Sequence, residues 1–115
     1  MRLKSGIWVA AYLRRCRSEG AEAVLRRRGA EDAGAVFIKV ARLDGTAEVI
    51  APAPQSAFEE ARPADRAFTA GLKTQPAPEP EAEAYLERQV KFDPDCWIVE
   101  VEDRAGRNFL DQVVS

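Results

Sequence analysis

The sequence predicts an α+β fold, in which an antiparallel-rich sheet of about five strands carries two helices packed mainly on one face. Two segments, one near each end of the chain, space their apolar residues at helical intervals. The segments between and after them are rich in β-branched residues and end in turn signals. The expected order is helix, three strands, a weakly marked fourth strand, helix, strand and a weakly marked last strand.

Each helix is predicted from its apolar face and from the residues at its ends. Apolar side chains recur at helical spacing over residues 6–19, where Ser5 can cap the start and Gly20 can end the helix. The second helix is expected over residues 81–91, because the Asp-Pro pair at 93–94 prevents its continuation. The outer side of the first helix is basic.

Strands are expected wherever β-branched and aromatic residues alternate with polar ones. The clearest example places Trp97, Val99 and Val101 on one face. The expected strands are 21–28, 35–43, a third beginning at 46, 66–72, 96–102 and 108–114, with a loop at 51–63.

A two-residue hairpin turn is predicted at Asp44-Gly45, a pair that favours a type I′ turn. With this turn Val40 lies opposite Val49, and both side chains share the core face. Lys39 then points to the other face, where an exposed pair with Glu48 is expected.

The chain has the length and composition of one folded domain. Its 115 residues are near the commonest domain size, so residues 1–115 are expected to form a single domain. Hydrophobic residues make up 46% and charged residues 31%, with a formal net charge of -2, which excludes the composition of disordered chains. The proline-spaced stretch 73–80 is expected to be a linker within the domain.

The residues that commonly carry catalysis are scarce. Histidine is absent, which excludes serine triads and histidine-based zinc sites. Cys16 and Cys96 cannot form a CxxC pair or a four-ligand zinc site, and both are expected to be buried thiols. No glycine-rich phosphate motif is found. No cofactor is therefore expected, and an enzyme is not favoured.

Arginines form two clusters, at residues 14–17 and 26–28. Because the first helix leads directly into the first strand, the clusters could merge into a surface for nucleic acid or another polyanion. Solvated charge that balances the acidic end is favoured over this alternative, since no rank of exposed aromatic residues accompanies the arginines. The polyanion-binding residues would be Arg14, Arg15, Arg17, Arg26 and Arg28.

Carboxylates are concentrated towards the C-terminal end. Asp95, Glu100 and Glu102 could present oxygens to a hard cation such as Mg²⁺. Their spacing resembles the motif of restriction-type nucleases, but Glu102 stands where that motif has its lysine. A metal-assisted hydrolase or nuclease is therefore a second alternative, and a solvated acidic face is favoured over it.

A membrane association is considered for the first helix, which could lie on a membrane surface with Trp8 and Tyr12 at the interface. Packing of both aromatic rings in the core is favoured. No stretch approaches the ~20 apolar residues of a membrane span, and no signal-peptide cleavage site follows the N-terminal apolar run. The expected location is the bacterial cytoplasm.

A family resemblance rests on three segments, residues 2–16, 34–40 and 92–104. They read RLKSGIWVAAYLRRC, GAVFIKV and FDPDCWIVEVEDR. The chain resembles, along its whole length, a domain-of-unknown-function family of short alphaproteobacterial proteins, number fourteen ninety-one. The resemblance implies a cytosolic stand-alone domain and carries over no activity, ligand or catalytic residue.

The leading functional hypothesis is a small non-catalytic cytosolic accessory or protein-binding domain. It rests on the missing histidine, the lack of catalytic and cofactor motifs, and the separation of charge into a basic and an acidic end. The expected partner is another protein or a second copy of the chain. A homodimer could form through an exposed C-terminal strand paired across a two-fold axis.

Overall fold

The computed structural model describes residues 3–54, 66–111 and 113–114, which form one mixed sheet with a helix on each face. The α+β class is confirmed, and the helices and strands follow the predicted order with one additional short strand. Within the described residues, no helix has the length and apolar character that crossing a membrane requires. The elements are α1 (Ser5–Ser18), β1 (Glu22–Arg27), β2 (Val36–Ala41), β3 (Thr46–Pro52), β4 (Phe68–Ala70), β5 (Ala77–Pro78), α2 (Glu79–Phe92), β6 (Trp97–Glu102) and β7 (Val113–Val114).

The strands lie in the order β1-β6-β2-β3-β4-β7, and β5 pairs with β3. In the described part of the chain, β1–β6, β2–β3, β3–β4 and β3–β5 are antiparallel. The pairs β2–β6 and β4–β7 are parallel. The strand after α2 is therefore inserted between two strands of the N-terminal half, and it leaves β1 at the edge of the sheet.

The two helices cover opposite faces of the sheet, whereas both were expected mainly on one face. Val9 and Tyr12 of α1 pack with Ile38 of β2 on one side. Leu86 of α2 packs with Phe37 of the same strand on the other side. All six residues of β2 are buried, because a central strand covered on both faces has no solvent side.

The hairpin between β2 and β3 differs from the predicted one by one residue. Its loop has three residues, with positive φ angles of 65° at Leu43 and 90° at Gly45. Lys39 consequently pairs with Val49, and Val40 no longer does. A one-residue change of register moves the side chains of β3 to the other face, so Val49 faces α2. Lys39 lies on the same face and is buried rather than exposed, because α2 covers it.

The segment 73–80, expected to be a linker, packs against the sheet. Ala77 is buried and pairs with Ala47 in β3. The side-chain oxygen of Gln75 accepts hydrogen bonds from the backbone N–H of Val49 at 3.0 Å and of Leu72 at 3.2 Å. The side-chain amide thus binds the turn to β3, and Pro80 falls in the first turn of α2, where proline is tolerated. Most of the loop expected at 51–63 lies outside the described residues.

Removal of one buried apolar side chain between α2 and the sheet is expected to lower the free energy of unfolding. Leu86 is 1% exposed and Phe92, on the same helix, is 89% exposed. Leu86→Ala should lower the free energy of unfolding by about 2–4 kcal/mol, because it leaves a cavity under α2. Phe92→Ala should change it by less than about 0.5 kcal/mol. Urea unfolding of both variants measures the difference, and equal losses would contradict this packing of α2.

Candidate functional site

The arginines predicted to bind polyanions are divided between the two faces of the sheet. Arg14, Arg15 and Arg17 project from α1, which covers one face. Arg26 reaches across the other face towards α2. Arg28 is exposed beyond β1, where its guanidinium lies 5.4 Å from the ring centroid of Trp97. The structure therefore does not bring the two clusters together into one surface.

Several of these arginines bind acceptors within the chain. Arg15 donates to the carbonyl oxygen of Phe109 at 3.0 Å and pairs with Asp111 at 3.0 Å. Arg17 donates to the carbonyl oxygen of Ala23 from Nε at 3.2 Å and from Nη2 at 2.7 Å. Both side chains thus connect α1 to neighbouring segments, which reduces the positive charge free for a polyanion.

A buried lysine lies at the centre of an ionic cluster between β2 and α2. Lys39 Nζ is 2.6 Å from Glu83, 3.1 Å from Glu79 and 3.7 Å from Glu100. Arg26 binds both carboxylate oxygens of Glu83 at 2.8 Å and Glu100 at 3.0 Å. We call these five residues the Lys39 cluster. Its three glutamates compensate the charge of Lys39, which would be costly to bury alone.

The electrostatics of the Lys39 cluster favour its charged forms. Burial opposes the ammonium of Lys39, but hydrogen bonds to Glu83 and Glu79 outweigh it and raise its pKa. The hydrogen bonds from Arg26, supported by Lys39, lower the pKa of Glu83 to about 2. Arg26 has a raised pKa for the same reason, led by its bonds to Glu83. The cluster is therefore a fixed set of ion pairs at neutral pH, as expected for a structural contact between α2 and the sheet.

The three acidic residues suggested for a metal are spread along β6. Glu100 belongs to the Lys39 cluster. Glu102 is exposed at the end of the strand, and Asp95 is exposed before its start. Across the described ranges 3–54, 66–111 and 113–114, no three cysteine or acidic residues are grouped so that they could hold a metal ion.

Both thiols are buried, and burial raises their pKa. For Cys96 the charge of Asp93 raises the pKa further. A thiol with a raised pKa is a poor nucleophile at neutral pH.

An open groove of about 300 Å³ lies along α1. It is bounded by the helix on one side and by residues near β4 and β7 on the other. Its lining residues are Leu3, Trp8, Ala11, Tyr12, Arg15, Arg66, Leu110 and Asp111. We call it the Trp8 groove.

Stacked aromatic rings form the base of the Trp8 groove. The rings of Trp8 and Tyr12 have centroids 5.0 Å apart and an interplanar angle of 11°. Phe68 of β4 supports Trp8 from below at 5.3 Å, and the guanidinium of Arg66 lies 5.9 Å from its ring centroid. The Tyr12 hydroxyl donates to the carbonyl oxygen of Asn108 at 2.6 Å. These contacts hold both rings in place. Tyr12 is buried, and the half-buried Trp8 supplies the exposed aromatic surface at the base of the groove.

Sequence reasoning assigned Trp8 and Tyr12 to the core and did not predict the groove. Tyr12 is indeed buried, whereas Trp8 is only half-buried. Arg66 and Asp111 are distant from α1 in the sequence, and only the tertiary fold brings them next to it. The helical period places Trp8, Ala11, Tyr12 and Arg15 on one side of α1, but it gives no indication of what lies opposite.

The fold and the Trp8 groove define a small α+β domain with one mixed sheet between two helices. The family model for proteins of unknown function DUF1491 matches residues 3–111. The chain belongs to the DUF1491 family, as its resemblance predicted.

Solved structures of similar proteins have the same fold over the full length. A DUF1491 family protein from Caulobacter crescentus CB15, solved by crystallography, is 40% identical with a TM-score of 0.80, and both chains are covered completely, at 100%. A protein from A. tumefaciens, solved in solution, is 36% identical with a TM-score of 0.81, covering 100% of this chain and 98% of that one. No match is found among the curated proteins.

The Lys39 cluster predicts a loss of stability in acid. Because the folded-state pKa of Glu83 is about 2 and its ordinary value is 4.5, its contribution is complete above pH 4.5 and disappears as the pH falls towards 2. Glu83→Gln should lower the free energy of unfolding at pH 7 by roughly 1–2 kcal/mol, after allowance for solvent screening of a side chain that is 36% exposed.

The test is urea unfolding of wild type and Glu83→Gln between pH 7 and pH 3. Glu87→Gln is the matched control, since Glu87 is exposed one turn further along α2. The deficit of Glu83→Gln should shrink below about pH 4.5, and a deficit that stays constant across this range would contradict the assignment.

Proposed function

We propose that the protein is a non-catalytic protein-binding domain of the bacterial cytosol, and that the Trp8 groove binds an extended segment of a partner protein. The observation that carries the proposal is the stacked pair Trp8 and Tyr12 at the base of an open groove. Rigid aromatic side chains in a groove are the commonest anchors of protein recognition, because they offer a large apolar area at low entropic cost.

The charge around the groove indicates what kind of segment it binds. Arg15 and Arg66 line the groove, and Arg14 is exposed on the same helix. The sequence of α1 contains no acidic residue, so the helix side of the groove carries no negative charge. Asp111 is the acidic residue of the lining. A segment with one large apolar side chain flanked by acidic residues would complement this surface.

Other features support a binding role over a catalytic one. Both thiols are buried with raised pKa values, and the sequence contains no histidine. The glutamates of the Lys39 cluster are committed to ion pairs with Lys39 and Arg26. Two unbridged cysteines suit the reducing cytosol.

Polyanion binding through the arginines stays a prediction that the geometry favours less. Arg15 and Arg17 bind carbonyl oxygens within the chain, and Arg26 lies on the opposite face of the sheet. A DNA or RNA affinity that falls steeply with salt would support it.

Two neighbouring alanines of α1 allow a matched test of the groove. Ala11 lines the Trp8 groove, whereas Ala10 is exposed on the same helix outside its lining. Ala11→Glu should abolish binding, because the carboxylate fills the groove and repels an acidic segment. Ala10→Glu adds the same charge and should leave binding within about two-fold of wild type.

The measurement is selection from a phage-displayed peptide library on wild type, followed by affinity measurements of the selected peptides on Ala11→Glu and Ala10→Glu. Selected peptides are then titrated while the two tryptophan indole N–H signals are followed by NMR. The Trp8 signal should shift, whereas that of Trp97, which donates to the carbonyl oxygen of Ala30 at 2.8 Å, should not. Peptides that bind Ala11→Glu and Ala10→Glu equally, or that leave the Trp8 signal unmoved, would contradict the proposal.

A further inference from the structure

Within the described residues, the outer edge of β1 pairs with no other strand, although the side chain of Arg17 binds the outward carbonyl oxygen of Ala23. In the described part of the chain, β1 pairs only with β6, and the other edge is formed by β7 with two residues, Val113–Val114. α2 packs mainly over β2, β3 and β5, and its contact with β1 includes the ion pair between Glu83 and Arg26. Val24, in the middle of β1, is 50% exposed. An uncovered strand edge is a ready template for another strand.

The hydrogen-bond pattern of β6 determines which backbone groups of β1 face outward. The N–H groups of Trp97 and Asp103 bind carbonyl oxygens on the β2 side, so the odd-numbered residues of β6 face β2. The even-numbered residues face β1, where Glu100 pairs with Val24. The N–H and C=O groups of Val24 therefore point into the sheet, and those of Ala23 and Leu25 point outward from its edge.

We propose that β1 pairs antiparallel with β1 of a second copy across a two-fold axis through Val24. In this register Ala23 exchanges both backbone hydrogen bonds with Leu25 of the second copy, and the symmetric pair does the same. Val24 meets Val24 of the second copy in a non-hydrogen-bonded pair, which is the closer type of pair in an antiparallel sheet. The surface is separate from the Trp8 groove, and the proposal does not depend on it.

The charges on β1 are self-complementary in this register. Glu22, Val24 and Arg26 all face the α2 side, as their contacts with β6 and α2 show. Antiparallel pairing on Val24 brings Glu22 level with Arg26 of the second copy, twice. Arg26 lies at an irregularity of β1 between Leu25 and Arg27 and also binds its own Glu83 and Glu100, so this contact would be one between side chains and not a regular strand pair. Within one chain Glu22 lies directly opposite Glu102, and like charges in this position repel. The second copy would supply the cation that relieves this repulsion.

Neighbouring registers lack this complementarity. A shift that centres the axis on Ala23 places Glu22 opposite Val24, and one that centres it on Leu25 places Val24 opposite Arg26. The first leaves Glu22 without an opposite charge across the strands. The second leaves Arg26 opposite an apolar residue, and the partner it offers Glu22, Arg28, lies beyond the end of β1. The central register is the one that matches both charge and apolar contact.

Arg17 limits the strength of the pairing. Its guanidinium already donates to the outward carbonyl oxygen of Ala23 at 2.7 Å. Nε of the same guanidinium also donates to this oxygen at 3.2 Å, so both lone pairs are engaged and Arg17 must give up one hydrogen bond for the second copy to bind there. Because a single six-residue strand also buries little area, the dimer should be weak, with a Kd between about 10 µM and 1 mM.

Sedimentation equilibrium of the full chain tests the association. The average mass should rise from that of one chain towards that of two as the concentration increases through the expected Kd. Glu22→Arg places arginine opposite Arg26 of the second copy and should weaken the dimer at least about ten-fold. Glu81→Arg is the matched control, since Glu81 is exposed on α2 away from β1, and it should leave the Kd within about two-fold. A chain that stays monomeric at 1 mM, about the upper limit of the expected Kd, or equal effects of the two variants, would overturn the proposal.

Disulfide formation tests the register. Val24→Cys should form a disulfide-linked dimer under mild oxidation, because the Cα atoms of this pair would lie about 4.5 Å apart. Glu22→Cys should not, since residues 22 of the two copies would lie about 13 Å apart, four residues along the strand. The native thiols are buried and serve as an internal background. Linkage at 22 with none at 24 would overturn the Val24-centred register.

Discussion

The position of β6 is the constraint on which the rest of the structure depends. By pairing parallel to β2 and antiparallel to β1, β6 turns β2 into a central strand that must be covered on both faces. One helix on each face meets that requirement. The same insertion moves β1 to the edge of the sheet and places Lys39 in the interior, where three glutamates compensate its charge and Arg26 binds two of them.

Elements with a clear local period could be predicted from the sequence, and features set by long-range pairing could not. The alternation around Val99 and the helical spacing of α1 and α2 depend only on neighbouring residues, so they were predicted nearly to their ends. The placement of β6 next to β2 depends on residues about sixty positions apart. The hairpin failed for a local reason, because Leu43 adopts a positive φ of 65° that its side chain does not favour. That one residue changed the partner of Lys39 from residue 50 to Val49, and Lys39 is buried because α2 covers its face of the sheet.

The functional surfaces were less predictable than the fold. The charge clusters were visible in the sequence, yet the tertiary structure commits several of their members to contacts within the chain. Arg26 and Glu100 were assigned to opposite hypotheses, polyanion binding and metal binding, and they bind one another at 3.0 Å. The Trp8 groove needs Arg66 opposite α1, which no local pattern indicates. Sequence composition therefore predicted a binding domain without indicating where it binds.

Native-state hydrogen exchange at the amides of β1 is the most direct test of an open edge that accepts a second copy. In dilute protein the outward amides of Ala23 and Leu25 should exchange rapidly, while that of Val24, which faces β6, should be protected. At high concentration the two outward amides should become protected as well. Protection of Ala23 and Leu25 that is already complete in dilute protein, or that never appears on concentration, would contradict the account.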